Sequence, residues 1–433
     1  MNQFMIGPIV TQQDGDGIKV SAQVSSPASI TKLWFRTTGI SPWTGEDILI
    51  PASLFCAMQT GLPLHVRGTI SARQASNLDL LQTIFNKWYP RCKKISVSWD
   101  SLRDSPPTEA TGTGCFFSGG LDSFYTYLKH ESEIDVLVLV HGFDFWLDDH
   151  GLRQQVSDGM QAIASKLGKP LIEVETNLRE FTDQFLDWGL HSFGGGLASI
   201  ALLLSNHLRK IYLPSSESYA HLDACGSHPM LDPLWGTERL EVVHDGCEAT
   251  RVEKAQRVAQ SDIALTHLRV CYQNLLEKGH YGERPEKWNC GRCEKCVRTM
   301  LNLYIADALD HCPTFRTPLS SELIRQTDPK YDLAFFHMEE NLLHLIEKEG
   351  DTELTRALAE CVEDYRRRRA ILMLSEQGEN FFASVPWKTF VDQRRNTLFK
   401  SLWPVWGSWL TRESLKEELK HLWGRQNRER NDK

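Results

Sequence analysis

Apolar and polar positions alternate strictly along Ile18-Lys19-Val20-Ser21-Ala22-Gln23-Val24, the pattern of a strand buried on one face. Residues 30–35, 64–70 and 94–99 add further strands in the first hundred residues. Between them, residues 51–60 read as a short helix opening on Pro51. Leu78, Leu81, Phe85 and Trp88 fall at helical spacing along residues 77–88. Residues 1–100 therefore read as an α+β accessory domain. Residues 101–112 are polar, contain the pair Pro106-Pro107 and show no periodicity, which marks a linker.

From Thr113 the pattern changes to strands alternating with helices, the sign of a parallel α/β sheet. Residues 134–140 form a continuous apolar run suited to a strand buried on both faces. Leu152, Val156, Met160, Ile163 and Leu167 trace a helix face that Gly168 closes, and residues 171–174 make the next strand. Gly194-Gly195-Gly196 opens an apolar helix over 197–204 and serves either a second anionic group or close packing. Residues 210–213 resume the sheet and bring Ser215, Ser216 and Glu217 to its carboxyl edge as candidate substrate contacts. Residues 301–433 read as helical, with Leu342, Leu343, Leu345 and Ile346 on one stretch and Leu354, Leu358 and Cys361 on another. Arg366 to Arg369 fit a solvated helix face, and residues 402–409, rich in tryptophan, fit a partner-binding patch or core packing.

Composition changes this picture little. The chain has 433 residues, 24% charged and 41% hydrophobic, with a formal net charge of −8. That balance offers no general attraction to nucleic acid or membrane. No apolar run approaches the ~20 residues that span a bilayer. Eleven cysteines, three of them in one C-x-x-C-x-x-C run, argue for a reducing compartment and a metal instead of disulfides. A cytoplasmic location is expected.

Two stretches carry chemistry. Ser118-Gly119-Gly120-Leu121-Asp122-Ser123 follows the apolar Cys115-Phe116-Phe117 and precedes an amphipathic run, in the order strand, glycine turn, helix. Adjacent glycines admit a ligand close to the backbone, and the helix start aims free N–H groups and its positive dipole end at that ligand. Phosphate is the usual guest of such a terminus. Asp122 suits a metal or a backbone cap. No G-x-x-x-x-G-K-[ST] loop occurs in the chain. Further on, Arg251 and Lys254 share one helix face and could neutralise a leaving pyrophosphate; surface pairing with Glu248 or Glu253 is the competing role.

Cys290-Gly-Arg-Cys293-Glu-Lys-Cys296 is the second stretch. Two-residue gaps turn successive thiolates onto one ion, and a tetrahedral site needs a fourth ligand. Cys271, nineteen residues upstream, suits that role; Cys225 and Cys247 are alternatives. Structural zinc is the expected metal, and four thiolates would also hold an iron–sulfur cluster.

The S-G-G-x-D-S match resembles the pyrophosphate-binding loop of the PP-loop ATP pyrophosphatases. With Cys271-Tyr272 and the triple cysteine after it, the chain resembles 7-cyano-7-deazaguanine synthase over roughly residues 113–300. The resemblance implies a Rossmann-like parallel sheet and cleavage of ATP to AMP and pyrophosphate. It implies ATP on Ser118, Gly119, Gly120, Leu121, Asp122 and Ser123, and Mg²⁺ bridging phosphate oxygens. His141 and Phe143 become nucleotide neighbours, Asp122, Ser123 and Lys254 catalytic residues, and Cys271, Cys290, Cys293 and Cys296 ligands of structural Zn²⁺. The loop before the triple cysteine is long, and the flanking regions exceed those of compact synthases; such extended relatives resemble proteins of anti-phage operons.

The expected architecture is thus α/β: an accessory domain (1–100), a linker (101–112), a PP-loop core with its zinc site (113–300) and a helical region (301–433). The expected activity is ATP-dependent activation of a carboxylate or amide, of a 7-deazaguanine-type substrate, for attack by ammonia or a protein amine. The flanking regions are expected to dock partner proteins. Two alternatives stand beside it: sulfur transfer to tRNA through Cys225 or Cys247, and a non-catalytic ATP-binding scaffold.

Overall fold

The computed structural model describes residues 3–26, 29–103, 109–271, 288–329, 332–348 and 351–376. The tryptophan-rich stretch 402–409, most of the loop before the triple cysteine and the charged tail lie outside these residues. Met1–Leu358 and Ala359–Lys433 are two compact units.

The first unit is built on one mixed, largely parallel sheet of eleven strands. These are β1 (Phe4–Ile6), β2 (Val10–Asp14), β3 (Gly17–Ser25), β4 (Ile30–Thr38), β5 (Leu64–Ser71), β6 (Val97–Arg103), β7 (Gly112–Phe116), β8 (Val136–His141), β9 (Leu171–Thr176), β10 (Leu208–Pro214) and β11 (Glu241–Asp245). Helices in chain order are α1 (Ile50–Thr60), α2 (Ala72–Trp88), α3 (Leu121–Lys129), α4 (His150–Leu167), α5 (Leu178–Thr182), α6 (Phe193–Leu203), α7 (Arg251–Val258) and α8 (Asp262–His267). They continue with α9 (Glu294–Ile305), α10 (Ser321–Arg325), α11 (Asp332–Glu347) and α12 (Thr352–Glu376).

The strand order is β11-β10-β7-β8-β9-β4-β3-β1-β5-β6, with β2 on β3. The five strands from β7 onward are mutually parallel. Numbered among themselves they run 3-2-1-4-5, so the order reverses at β7. Right-handed crossovers then place α3 and α4 on one face and α6 on the other. The carboxyl end of β7 is thus the switch point of the sheet, the place where ligands of open α/β sheets settle.

The first hundred residues do not stand apart. β4 joins β9 antiparallel, pairing Phe35 with Thr176, Arg36 with Glu175 and Thr37 with Val174. Side chains fasten the seam: Thr176 Oγ1 donates to the Trp34 carbonyl (2.8 Å), and the Trp34 amide donates to Asn177 Oδ1 (3.0 Å). Of the linker expected at 101–112, residues 101–103 end the edge strand β6 and Gly112 opens the central β7, while 104–108 lie outside the described residues.

One apolar core runs along the sheet through both halves, including Phe4, Leu33, Phe55, Phe85, Val138, Leu202 and Trp235. The glycine triplet lies inside α6, not ahead of it. A Cβ on Gly195 would stand 2.4 Å from the Pro51 carbonyl oxygen, so this triplet serves the close approach of α6 to α1. On α11 the buried positions are Ala334, Phe335, His337, Met338, Asn341 and Leu345, while Leu343 and Ile346 face outward. In the second unit the described residues 359–376 continue α12; Arg366, Arg367 and Arg368 are exposed there, and Arg368 pairs with Asp364 at 2.9 Å. No helix among the described residues is long and apolar enough to cross a membrane.

Candidate functional site

β7 ends at Phe116, and Ser118-Gly119-Gly120 turns the chain into α3. Gly119 has φ +70°, a conformation that a side chain disfavours, and a Cβ there would meet Met160 Cε of α4 at 2.8 Å. Gly120 is the N-cap of α3 and carries no side chain to satisfy the first helical N–H groups. Those donors and the positive helix end remain directed at the turn. Ser123 is buried, its hydroxyl donating to the Gly120 carbonyl (3.0 Å), and Leu121 packs in the interior.

The charge arrangement here is specific. Asp122 receives Arg251 Nη1 at 3.2 Å on both carboxylate oxygens, and Lys254 Nζ stands 3.7 Å away. Arg251 and Lys254 are 2% and 1% exposed, which rules out the surface pairing with Glu248 or Glu253. Helix α7 presents both because they sit three apart, and its Thr250–Glu253 capping box fixes where the helix begins. Lys254 Nζ also donates to the carbonyls of Ser215 (2.6 Å) and Glu217 (3.4 Å). Burial would raise the Asp122 carboxyl, but the Arg251 and Lys254 cations beside it hold it below the usual carboxylate range. Burial pushes Lys254 down against the pull of Asp122.

Two more cations reach this place. Lys295, between Cys293 and Cys296, interacts with Arg251, Asp122 and Asp144; burial and the neighbouring Arg251 push its pKa down. The Arg269 amide donates to the Gly119 carbonyl at 2.8 Å, its side chain is buried, and Asp144 is its electrostatic counterpart. Sequence reading missed Lys295, Arg269 and Asp144. The position of Lys295 inside a metal knuckle hid it, since the spacing of the cysteines explains that segment without it.

His141 and Phe143 take other partners. His141 Nε2 lies 2.7 Å from Glu173 Oε2, and Phe143 stacks at a tilt on Trp188 with centroids 4.6 Å apart. His141 lines a polar cleft of about 330 Å³ with Arg36, His150, Arg153, Glu173 and Glu175, beside the carboxyl ends of β8 and β9. The buried His141 Nδ1 makes no hydrogen bond among the described residues. Ser215 and Glu217 are buried beside Lys254, whereas Ser216 is exposed.

The four cysteines converge. The ligand atoms of Cys271, Cys290, Cys293 and Cys296 all lie within 4.8 Å of one another. Cys271 Sγ and Cys293 Sγ are 4.0 Å apart, Cys290 Sγ and Cys296 Sγ 3.8 Å. A tetrahedral zinc with ligands at about 2.3 Å spaces its sulfurs by about 3.8 Å, whereas a disulfide would bring a pair to about 2 Å. The donor set fits a metal such as zinc. Hydrogen bonds with Cys290, Cys293 and Cys296 favour a thiolate at Cys271. The Cys290 sulfur accepts from the Arg292 and Cys293 amides at 3.4 and 3.3 Å. Asn289, fully buried, ties the two arms together: its Oδ1 accepts from the Val270 and Cys271 amides, and its Nδ2 donates to Leu268 and Thr314. Cys225 and Cys247 are elsewhere, bonded to the Ser227 carbonyl and the Ser215 hydroxyl.

The knuckle and the glycine turn are therefore one construction. Arg269, two residues before the first cysteine, holds the turn through its amide, and Lys295, between the last two, lies within electrostatic reach of Asp122. Comparison of the chain with protein-family models, with curated proteins and with solved structures finds no match.

Proposed function

We propose that the chain is an ATP-dependent adenylating enzyme of the PP-loop ATP pyrophosphatase type. The observation that carries this reading is the pair of Arg251 and Lys254 on Asp122, within electrostatic reach of Lys295, at the start of α3 and at the switch point of a 3-2-1-4-5 sheet. Helix N-termini flanked by cations hold phosphates, and an anion of several charges matches the paired cations Arg251 and Lys254.

In this reading the N–H groups that open α3 receive the β- and γ-phosphates of ATP. Arg251 and Lys254 exchange part of their contact with Asp122 for phosphate oxygens and stabilise the charge that develops on leaving pyrophosphate. Asp122 would hold Mg²⁺, which would supply further neutralisation of phosphate charge. The nucleoside extends toward the cleft that His141 lines. A substrate carboxylate attacks the α-phosphorus, the bond to pyrophosphate breaks, and an acyl-adenylate results. An amine, from ammonia or a protein, then displaces AMP. Activation is needed because a free carboxylate resists amines and AMP leaves readily.

A 7-deazaguanine-type acid fits the buried polar rim next to Lys254. Burial pushes the Glu217 carboxyl up to about 7. A guanine-like edge offers adjacent N–H donors to such a carboxyl group. Zinc on Cys271, Cys290, Cys293 and Cys296 would act at a distance, by fixing Arg269 and Lys295.

The test is product analysis with ATP labelled at the α-phosphate, Mg²⁺, ammonia and 7-carboxy-7-deazaguanine. Labelled AMP with matching pyrophosphate, formed only with the deazaguanine, is expected. Labelled ADP would overturn the reading of the loop, and AMP formed independently of the deazaguanine would overturn the substrate class.

A further inference from the structure

Arg251, Arg269 and Arg298 are the buried arginines among the described residues, and two of them have carboxylate partners. Arg251 pairs with Asp122 at 3.2 Å and Arg298 with Glu294 at 3.0 Å. Arg269 is 6% exposed, and its guanidinium makes no hydrogen bond or ion pair with the described residues. Its Nε is shut away without a partner, while the terminal amino groups hold part of the small remaining exposure. Asp144 acts on this charge only across a gap wider than an ion pair. The Phe145 ring, its centroid 5.8 Å from the guanidinium carbon, stands near the outer limit of a cation–π contact and offers the N–H donors no oxygen.

The glycine turn fixes the place of this cation. The Arg269 amide donates to the Gly119 carbonyl at 2.8 Å, and its Cβ stands 3.7 Å from the point that a Cβ on Gly119 would occupy. From there the side chain reaches Phe145, in the loop that leaves β8, whose ring meets His141 edge-on at 5.1 Å. β7 and β8 are parallel neighbours, so the unpaired guanidinium lies beyond the carboxyl ends of both. Beside it the nine-residue α3 begins at Gly120 with no side-chain cap, which leaves its first N–H groups and its positive end unanswered. A buried arginine with no counter-ion costs stability and is at the same time prepared to receive an anion. We propose that Arg269 is a phosphate-binding residue: its guanidinium takes one phosphate group of a ligand whose neighbouring phosphate the start of α3 receives. The naming of that ligand as a nucleotide rests on the adenylation reading above; the unpaired guanidinium beside an uncapped helix start does not.

β10 and β8 flank β7 on opposite sides. Lys254 Nζ bonds the Ser215 carbonyl, just past the end of β10, whereas Arg269 lies toward the end of β8. Cations therefore stand on both sides of the turn. A ligand with several phosphates laid across the start of α3 meets Arg251 and Lys254 at one end and Arg269 at the other. The cleft that His141 lines is on the Arg269 side, so for ATP the group that Arg269 takes is the α-phosphate, next to the nucleoside. Its N–H donors hold the oxygens that stay with AMP and orient the phosphorus for attack. The four-cysteine cluster sets the position of this arginine. Asn289 Oδ1 accepts from the Val270 and Cys271 amides, at 2.7 and 3.1 Å, in the residues that directly follow Arg269.

The experiment measures binding of AMP and of pyrophosphate to the full-length protein by titration calorimetry, in wild type, Arg269→Met and Arg269→Lys. Methionine keeps an unbranched apolar stem against Phe145 and removes the charge. Arg269→Met should weaken AMP binding roughly 10–100-fold, the value of one charged hydrogen-bonded contact, and Arg269→Lys should lose less. Without ligand, Arg269→Met should keep its metal and unfold at no lower temperature than wild type, because the cation it removes has no partner in the folded chain. Removal of a merely structural arginine would lower that temperature. A loss with AMP places the α-phosphate on Arg269, a loss with pyrophosphate alone places a leaving phosphate there, and either sustains the proposal. Unchanged affinity for both anions in Arg269→Met, no binding of either by wild type, or a loss that comes with a lower unfolding temperature and lost metal overturns it. Binding needs no ATP cleavage, so the two readings fail separately. Anions bound through Arg269 without ATP cleavage remove the adenylation, and ATP cleaved with unchanged affinities in Arg269→Met removes the role of the arginine.

Discussion

Two glycine clusters stand at the beginnings of helices in this chain, and they do opposite work. At Gly119-Gly120 no side chain caps the start of α3, and Arg251 and Lys254 pair with Asp122 in its first turn. At Gly194-Gly195-Gly196 the missing side chains are filled by other backbone: the Gly226 and Pro51 carbonyls would lie 2.1 and 2.4 Å from Cβ atoms on Gly194 and Gly195. In the proposed reading one cluster keeps space for a ligand, while the other removes space between elements. What separates them is the charge around each, which arrives from distant parts of the chain.

The contrast can be broken experimentally, and the metal knuckle gives the largest effect. Cys293→Ser removes one of four thiolates, and since structural zinc contributes about 10 kcal/mol or more of apparent binding free energy in small domains, metal content should fall and residues 288–305 should loosen. Arg269 and Lys295 then lose their anchor, so adenylation falls with the metal. Metal analysis alongside AMP production checks this; full activity without metal would separate the knuckle from the loop.

Next in size is Asp122→Asn. Turnover should drop roughly 10³-fold. Metal content should remain at the wild-type value, as measured on the same preparation. Unchanged turnover would mean that Asp122 merely neutralises Arg251 and Lys254.

Exchanging glycine for alanine tests the contrast itself. Gly195→Ala forces a methyl into a backbone carbonyl and should cost about 3 kcal/mol in denaturant unfolding, with normal turnover from the folded fraction. Gly119→Ala meets the flexible end of Met160 and a left-handed φ, a cost of about 1–2 kcal/mol, yet it should reduce turnover far more than Gly195→Ala does. Equal activity losses in both variants would erase the distinction.

The smallest effect is one of pH. The folded pKa of Glu217, about 7, exceeds its ordinary value of 4.5, so the native state binds the extra proton in that window. Stability is fully present below pH 4.5 and declines as pH rises through 7. Glu217→Gln should flatten that decline by an amount on the order of 1–3 kcal/mol, read from unfolding curves at pH 5 and pH 8. A wild-type curve already flat across this range would show that Glu217 has a partner for its charge.

How much of this was legible in the sequence follows the range of the interactions. Local patterns were sufficient for β3, β4, β5 and β8, for the closing of α4 at Gly168 and for the glycine turn, because alternation, helical spacing and turn residues are encoded within a few positions. The spacing of Cys290, Cys293 and Cys296 predicted a knuckle, and Cys271 proved to be the fourth member of the cluster. Short strands escaped: β1 has three residues, and β2 is exposed nearly throughout, so neither shows an alternation to read. β11 was missed because it is a five-residue edge strand ending in His244 and Asp245, whose polarity leaves no clear alternation to read. The seam between β4 and β9 joins residues 139 positions apart at Arg36 and Glu175, and nothing local signals it. Arg251 and Lys254 were visible as a pair on one helix face, but their shared carboxylate, Asp122, lies 129 positions before Arg251.

The central claim is that the loop at Gly119-Gly120 makes an acyl-adenylate reversibly. Exchange of radiolabelled pyrophosphate into ATP tests it most directly, because only an enzyme that breaks the bond between the α- and β-phosphates can return the label. The account predicts exchange that requires Mg²⁺ and 7-carboxy-7-deazaguanine and disappears in Asp122→Asn. No exchange in wild type while ATP yields ADP, or exchange that survives in Asp122→Asn, would contradict it.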